Sequence, residues 1–392
     1  MTATTAADEQ HMRRALALAE RGRGTTWPNP IVGAVITRRG RVLAEGFHER
    51  AGGPHAEIVA LDQLGGKAPG ATLYVTLEPC CHTGRTGPCT QAILKAGISR
   101  VVIGCADENP VVAGRGIRRL RRAGLTVEVG LRGDEARGQN RGFFRWVRDG
   151  RPHVSLKVAA SLDGFIAPAG PRKPGTVHWL TGAPARAAAH LLRSRHDAIL
   201  VGAGTVVADD PRLTVRLAQE PGDAPPPRPA PLRVVLDGAL LSPPGARLFR
   251  EPGAQPPLVL GAARPASPRP DQAFERRRRA LLAAGAEVVL LPADRRTGRI
   301  APGDVLALLA QRQVQSLLLE GGSPVHAAFI ASRLVDEVAV FLAPQLLGGG
   351  IPVAAGPGLP GDTPLRLGPL RAIQLADDIL VSADVVTVAS RR

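Results

Sequence analysis

The sequence reads as two consecutive α/β domains. Three observations carry that reading. At 392 residues the chain exceeds what one ordinary hydrophobic core organises. Helix-type and strand-type segments alternate through both halves, as they do where helices cover a sheet. A basic, linker-like stretch at 145–152 interrupts the alternation and puts the boundary near residue 148. The expected domains are therefore 1–147 and 148–392.

In the first half, residues 8–21 show a helical apolar face built from Met12, Ala15, Leu16 and Ala19. Residues 31–37 and 42–46 read as strands joined by the turn Arg38-Arg39-Gly40-Arg41. Helix 55–64, strand 72–77, helix 90–96 ending at Gly97, strand 100–105, helix 116–123 and a short strand 126–129 follow. This predicts a mixed sheet with flanking helices. The second half opens on a strand at 153–160. It continues through helix 183–195, strands 198–202, 232–236, 257–260 and 287–290, helix 305–312, strand 316–320, helix 324–331 and strand 337–342. The proline-rich stretches 221–231 and 251–270 read as surface loops. No fixed-period repeat is present.

Composition narrows the function classes. A hydrophobic fraction of 44% belongs to a globular chain rather than a disordered one. The longest apolar run, 198–208, falls short of the roughly 18–20 residues of a membrane helix and is broken by Gly202 and Gly204. Asp8 and Glu9 stand where an export signal would carry a basic start and an apolar run. Four cysteines make no disulfide framework, and Cys80, Cys81 and Cys89 crowd one segment, which suits metal binding in a reducing compartment. A cytoplasmic protein is expected. The net charge of +16 suggests nucleic acid, but only Lys67, Lys95, Lys157 and Lys173 are lysines. The arginine bias runs with abundant alanine, glycine and proline, and the runs 276–279 and 295–299 read as loops. With aromatics at 3%, base-stacking platforms are scarce, so neither nucleic acid nor membrane is expected as a partner.

The pattern that carries chemistry is Pro54-His55-Ala56-Glu57, then Glu78-Pro79-Cys80, then Pro88-Cys89. One histidine and two cysteines suit zinc, and three protein ligands leave a coordination position open for water, whose pKa such a site lowers to around 7. Hydrolysing an aromatic amine also needs a carboxylate off the metal, to move a proton from water to the ring nitrogen and the departing ammonia. His55, Cys80 and Cys89 are the expected ligands and Glu57 the proton shuttle. Cys81 is an alternative to Cys80. Taken alone, His-x-Glu is an ordinary exposed pair, and three cysteines could be buried thiols or a structural zinc site. Their combination at a helix start and a strand end is what points to catalysis. Cys105, on a predicted strand, reads as a core residue.

Zinc deaminases commonly separate the two cysteines by two residues, whereas eight intervene here. With that longer loop, Cys81-His82-Thr83-Gly84-Arg85-Thr86-Gly87-Pro88, the chain resembles the pyrimidine deaminases of riboflavin biosynthesis, although Gly87 stands where they usually have proline. Thr25-Thr26-Trp27-Pro28-Asn29-Pro30-Ile31-Val32-Gly33 and Gly46-Phe47-His48 resemble their substrate-binding segments. The resemblance implies a cytidine-deaminase-like fold and substrate contacts at Asn29, His48, His82 and Arg85, with Arg85 as the phosphate partner.

The second half has no strong motif of its own; the turns Gly202-Ala203-Gly204-Thr205 and Glu320-Gly321-Gly322-Ser323 could bring backbone amides to a phosphate or be plain turns. Together with Ser155-Leu156-Lys157-Val158-Ala159-Ala160-Ser161-Leu162-Asp163-Gly164, Trp179-Leu180-Thr181 and 208–216, they resemble the reductase of the same pathway, whose fold is similar to dihydrofolate reductase. That implies NADPH contacts at Ala159, Trp179, Thr205, Asp209, Gly322, Ser323, Pro324, Val325, His326, Ala327 and Ala328. It implies substrate contacts at Arg193, Leu213, Arg216 and Glu320. The two likenesses stand in the order of the bifunctional riboflavin-biosynthesis family. The family implies zinc and NADPH as cofactors, a pyrimidine ribosyl phosphate substrate, and a homodimer formed through the reductase domain. Lys157 is a polar candidate near the reacting centre, against the plainer reading of a solvated strand lysine. One departure is local: the stretch 164–179 is long, and Val177, beside Thr176, stands where the family has a substrate-contacting serine. A nucleic-acid deaminase and a non-catalytic zinc protein are the competing readings. The charge favours the first, and Glu57 argues against the second.

Overall fold

The computed structural model describes residues 5–81, 87–170, 173, 175–217, 229–263, 271–294, 297–356, 358–359 and 363–386. Its main division falls between Gly150 and Arg151, with a compact unit on either side.

The first unit runs α1 (Ala6–Glu20), β1 (Gly33–Arg38), β2 (Arg41–Phe47), α2 (Ala56–Asp62), β3 (Thr72–Leu77), α3 (Cys89–Lys95), β4 (Arg100–Cys105), α4 (Arg115–Arg122), β5 (Thr126–Val129), α5 (Gly133–Gln139) and α6 (Arg141–Asp149). A reciprocal cap starts α1: Thr5 Oγ1 accepts the Asp8 N–H, and the Asp8 carboxylate accepts the Thr5 N–H. The predicted face, Met12, Ala15, Leu16 and Ala19, is buried. The sheet has the order β2-β1-β3-β4-β5. β1 is antiparallel to both neighbours, and β3, β4 and β5 are parallel. Apolar residues cover both faces: α2, α3 and α4 pack on one side, α1, α5 and α6 on the other.

The distance between α2 and the sheet is set by Gly46. A Cβ there would come within 2.4 Å of the Ala56 carbonyl oxygen and 2.7 Å of the Ala60 nitrogen. The first turn of α2 therefore lies directly on β2, and that turn carries the His-x-Glu pair.

The second unit runs β6 (His153–Ser161), β7 (Phe165–Pro168), α7 (Ala183–Ser194), β8 (Ala198–Gly202), α8 (Ala203–Asp209), β9 (Leu232–Leu236), β10 (Leu258–Ala262), α9 (Gln272–Ala283), β11 (Glu287–Leu291), α10 (Pro302–Gln311), β12 (Ser316–Gly321), α11 (Ser323–Ala331), β13 (Glu337–Ala343), β14 (Gly350–Pro352), β15 (Arg366–Leu367), β16 (Arg371–Leu375) and β17 (Asp378–Val386). The large sheet has the order β11-β10-β9-β8-β12-β6-β13-β17-β15, with β16 also paired to β17. Strands β11 through β13 are parallel, and β17 is antiparallel to β13. Alternate residues of one strand feed opposite cores: Ala198 and Leu200 pack with Phe329, while Ile199 and Val201 pack with Phe274 and Leu281.

Several expectations are corrected. Residues 145–149 are helical rather than linker, because Phe143 and Phe144 are buried and anchor α6, which ends where Gly150 takes φ +66°. The arginine run 276–279 lies in α9, not a loop. Asp271 caps that helix at the Phe274 N–H, and Phe274 and Leu281, two turns apart, bury its inner side. Within the proline-rich 251–270, the strand expected at 257–260 is present as the fully buried Leu258–Ala262, so the stretch is not loop throughout. Residues 264–270, and 221–228 of the other proline-rich stretch, lie outside the described residues. Gly202-Ala203-Gly204-Thr205 runs straight from strand into α8 rather than forming a separate turn.

Gly46→Val should destabilise the protein by about 1–3 kcal/mol through forced overpacking. The check is the urea midpoint, and a wild-type midpoint would mean that α2 is not held this close.

Candidate active sites

In the first unit, His55 is the extended residue that begins α2, and Glu57 stands in the first turn, buried. Cys80 follows the end of β3, and Cys89 is the buried first residue of α3. Three separate elements thus bring their side chains to one point. His55 Nδ1 lies 3.1 Å from Cys89 Sγ and 3.6 Å from Cys80 Sγ. The potential ligand atoms all lie within 4.8 Å of one another. Cys81 stands outside the group, and Cys105 is a buried core residue.

The electrostatics suit a metal. A hydrogen bond from the Cys89 thiol, helped by His55 and the Cys89 N–H, pulls Cys80 down to about 4 against the effect of burial. Cys89 is pushed up by sharing that proton with Cys80 and by burial, so Cys80 is the thiolate of the pair. The Cys80 contact raises His55 against burial. Burial pushes the Glu57 carboxyl up, as a proton carrier requires. One imidazole and two sulfurs fit zinc, and three ligands match the open catalytic type rather than the closed structural one.

The group opens into a cavity of about 410 Å³ that Asn29, His48, Asp107 and Asn109 also line. His48 lies 2.9 Å through Nδ1 from the Pro54 carbonyl and 3.2 Å through Nε2 from the Asn29 amide nitrogen. A carbonyl can only accept, so Nδ1 carries the proton and Nε2 accepts from Asn29. That tautomer is neutral, in keeping with the lowering of His48 by burial. The same ring therefore orients Asn29 and holds the peptide just before His55. His82 and Arg85 lie outside the described residues.

Sequence reasoning overlooked Glu78, Asp107 and Asn109. The buried Glu78 carboxylate accepts from the N–H groups of Asp107, Gly114 and Ile117 at 3.2, 2.9 and 3.1 Å. It fastens the loop after β4 to the cysteine-bearing segment after β3. The available signal was position, since both segments follow the carboxyl ends of adjacent parallel strands.

In the second unit, Glu320 near the end of β12 forms a bidentate pair with Arg193 of α7 at 2.6 and 2.7 Å, and Arg193 also donates to the Thr214 carbonyl at 3.0 Å. Burial opposes charge on Glu320, but Arg193 holds it down to about 2. Lys157 is half-buried beside this pair, above the Phe341 ring, and burial lowers it against the pull of Glu320. The plain reading of a solvated lysine does not hold. Arg216 is exposed and meets His190, at 3.3 Å from Nε to Nε2. Leu213 has its side chain in the core and φ +54°, so its backbone is the part left to meet a substrate.

The Gly321–Gly322 turn meets the junction of β8 and α8. A Cβ on Gly321 would lie 2.3 Å from the Val201 Cα, and one on Gly322, at φ +84°, would reach Thr205 Oγ1 at 3.1 Å. From that contact α11 departs, with Ser323 and His326 buried and the Ser323 hydroxyl unpartnered among the described residues. Pro324, Val325 and Ala328 line a cavity of about 1040 Å³ beside the carboxyl ends of β9, β10 and β11. A crevice at that place, next to glycine turns and a helix start, fits a dinucleotide. Trp179 is 59% exposed and stacks with Arg186; Ala159 is half-buried; Ala327 packs beside Gly356; Asp209 ends α8.

A thiolate–imidazole centre with a buried carboxylate, on a mixed sheet, defines the zinc-dependent deaminase class. The second unit has a crevice at its strand ends that suits a nucleotide, and a buried Arg193–Glu320 ion pair. Comparison with known proteins agrees. The family model described as the cytidine and deoxycytidylate deaminase zinc-binding region matches residues 5–105. The RibD C-terminal domain model matches 152–381. The riboflavin biosynthesis protein RibD of Aquifex aeolicus is 39% identical over 346 residues, covering 88% of this chain and 89% of its own. The structure of Acinetobacter baumannii RibD is 36% identical with a TM-score of 0.78, covering 97% of this chain and 99% of that one. A diaminohydroxyphosphoribosylaminopyrimidine deaminase/5-amino-6-(5-phosphoribosylamino)uracil reductase from Thermotoga maritima is 35% identical with a TM-score of 0.78, covering 96% and 98%. The chain belongs to the RibD family of bifunctional riboflavin-biosynthesis enzymes, and both fold expectations stand.

His190 offers a pH test. Its imidazole titrates near 6.5 when unfolded. Burial and the charges of Arg193 and Arg216 lower it to about 4 in the folded protein. Between those values the unfolded chain holds a proton that the folded one lacks, so stability falls as pH drops from 6.5 toward 4. His190→Gln should flatten that slope in urea titrations at stepped pH. An unaltered slope would assign the proton elsewhere.

Proposed function

We propose that residues 1–147 hydrolytically deaminate 2,5-diamino-6-(5-phosphoribosylamino)pyrimidin-4(3H)-one. Residues 148–392 then reduce the ribosyl side chain of 5-amino-6-(5-phosphoribosylamino)uracil to ribityl. The observation that carries this reading is the His55, Cys80 and Cys89 group beside the buried Glu57, at a cavity that Asn29 also lines. His55, Cys80 and Cys89 hold the zinc, which when bound supplies a nucleophile from water at neutral pH. Glu57 takes one proton from the attacking water and delivers it to the ring nitrogen, then passes the proton of the newly added hydroxyl to the amine, which leaves as ammonia. Asn29, oriented by His48, grips the ring edge. His82 and Arg85 contact the substrate, with Arg85 on its phosphate.

In the second unit NADPH supplies the hydride, and the chain positions it. The Gly322–Ser323 turn and the first turns of α11 take the cofactor phosphates, and Ala159, Trp179, Thr205 and Asp209 bound its remainder. Arg216 meets the substrate phosphate, because it has no carboxylate partner among the described residues. The Arg193 charge is already matched by Glu320, so this pair contacts the sugar as one unit. Leu213 contributes its backbone.

No helix among the described residues is long and apolar enough to cross a membrane. Four unpaired cysteines support a reducing, cytoplasmic setting. Exposed Leu370 and Ile373, beside and within β16, support pairing of two copies through the reductase unit. Light scattering should give a dimer, and a monomer at micromolar concentration would remove that part.

The activity is tested by mass spectrometry of the diaminopyrimidinone ribosyl phosphate after incubation with zinc-loaded protein. Without NADPH the product should show exchange of amine for carbonyl oxygen; with NADPH it should gain two further hydrogens. Glu57→Gln should abolish the exchange while zinc content stays at wild type. Undiminished exchange in that variant would overturn the proton-shuttle role.

A further inference from the structure

We infer that Arg299 recognises the 2′-phosphate of the nucleotide cofactor and so makes the reductase unit select NADPH over NADH. The inference rests on reading the cavity at the ends of β9–β11 as the cofactor's site. Most of its wall is apolar and small: Gly238 and Ala239 after β9, Ala262 and Ala263 at the end of β10, and Val325 and Ala328 of α11. Such a wall accepts a flat purine but offers nothing to a dianion. Arg299 is the one cationic residue lining it among the described residues.

Its place is set by a closed turn. Ala293 bridges to Ile300, the Asp294 N–H donates to the Arg299 carbonyl at 2.9 Å, and the Gly298 N–H donates to the Asp294 carbonyl at 2.8 Å. Ile300, the next residue, is buried in the core and pins the turn to the sheet. Asp294, the acidic residue of the same wall, turns one carboxylate oxygen back on the turn, where it accepts the Thr297 N–H and hydroxyl at 2.7 and 2.8 Å. The Arg299 side chain is exposed, and no ion pair or hydrogen bond engages it among the described residues. The Gly322–Ser323 turn, where the pyrophosphate is placed, leads into α11, which walls this cavity with Pro324, Val325 and Ala328, and Arg299 stands on the wall supplied by the β11 loop. A dinucleotide lying along the strand ends brings its adenosine ribose toward that wall. A planar guanidinium pairs a phosphate through two parallel N–H donors, whereas an unphosphorylated ribose has no charge for it to meet.

Calorimetric titration of the full-length protein with adenosine 2′,5′-bisphosphate and with 5′-AMP isolates the phosphate, because the two ligands differ in nothing else. The wild type should bind the bisphosphate more tightly. Arg299→Ala should weaken bisphosphate binding by roughly tenfold to a hundredfold, leave 5′-AMP unchanged, and be partly restored in Arg299→Lys. The same variant should raise KM for NADPH but not for NADH. Ala328→Trp, which fills the cavity, should abolish binding of both nucleotides, with circular dichroism checking that it folds. If Ala328→Trp blocks binding but Arg299→Ala leaves the discrimination intact, the role of Arg299 is overturned and the cavity assignment survives. If folded Ala328→Trp binds both nucleotides like the wild type, the cavity assignment itself is wrong.

Discussion

The metal-binding side chains meet because α2 lies on β2 at a separation that only a hydrogen at position 46 permits. That contact brings the helix start, and with it His55 and Glu57, level with the end of β3, where Cys80 emerges. Cys89 arrives on a third element, the start of α3. His55 and Cys89 stand at helix starts and Cys80 just past a strand end, so their convergence depends on how those elements pack. Glu78 extends the same logic by tying the loop after β4 to the cysteine segment with three backbone hydrogen bonds. A carboxylate so fully used is a structural anchor, which sets Glu78 apart from the buried Glu57 at the start of α2.

The second unit solves a different electrostatic problem. Arg193, Arg216, His190 and Lys157 gather near one carboxylate, Glu320. A cluster of that sign draws an anionic substrate but is costly to bury. Glu320 offsets the charge of Arg193 through two hydrogen bonds, and His190 remains neutral. Burial lowers Lys157, so its ammonium gives up a proton more readily, while Arg216 stays at the surface with its charge available. Anion attraction and buried structure are thus divided between two arginines that look equivalent in the sequence.

Much of this was readable from residue order. The grouping of His55, Cys80 and Cys89 was legible because metal ligands must be of particular types, and those types stand together at a helix start and a strand end, although His-x-Glu alone is common. The strands β3, β4, β8 and β9 were placed to the residue, since buried strands are short apolar runs between turn signals, and the edge strand β5 was placed by its Thr-Val-Glu-Val run between glycines. Less legible were α6 and α9, whose arginine-rich surfaces hide apolar anchors such as Phe143 and Phe274. Also less legible were β14 to β17, whose half-exposed edge positions lack a clean alternation.

By itself, then, the sequence determined the two-unit α/β plan, the histidine, cysteines and glutamate that gather in the first unit, and the place of the Gly321–Gly322 turn. These follow from local constraints: residue chemistry, spacing and periodicity. Only the tertiary structure decided that Cys80 rather than Cys81 joins the metal group, that Glu320 neutralises Arg193, that Lys157 is drawn out of solvent, and that Arg299 lines the large cavity. Each of those depends on residues far apart in the chain meeting at the carboxyl ends of parallel strands. Spacing along a sequence carries no record of which strands become neighbours.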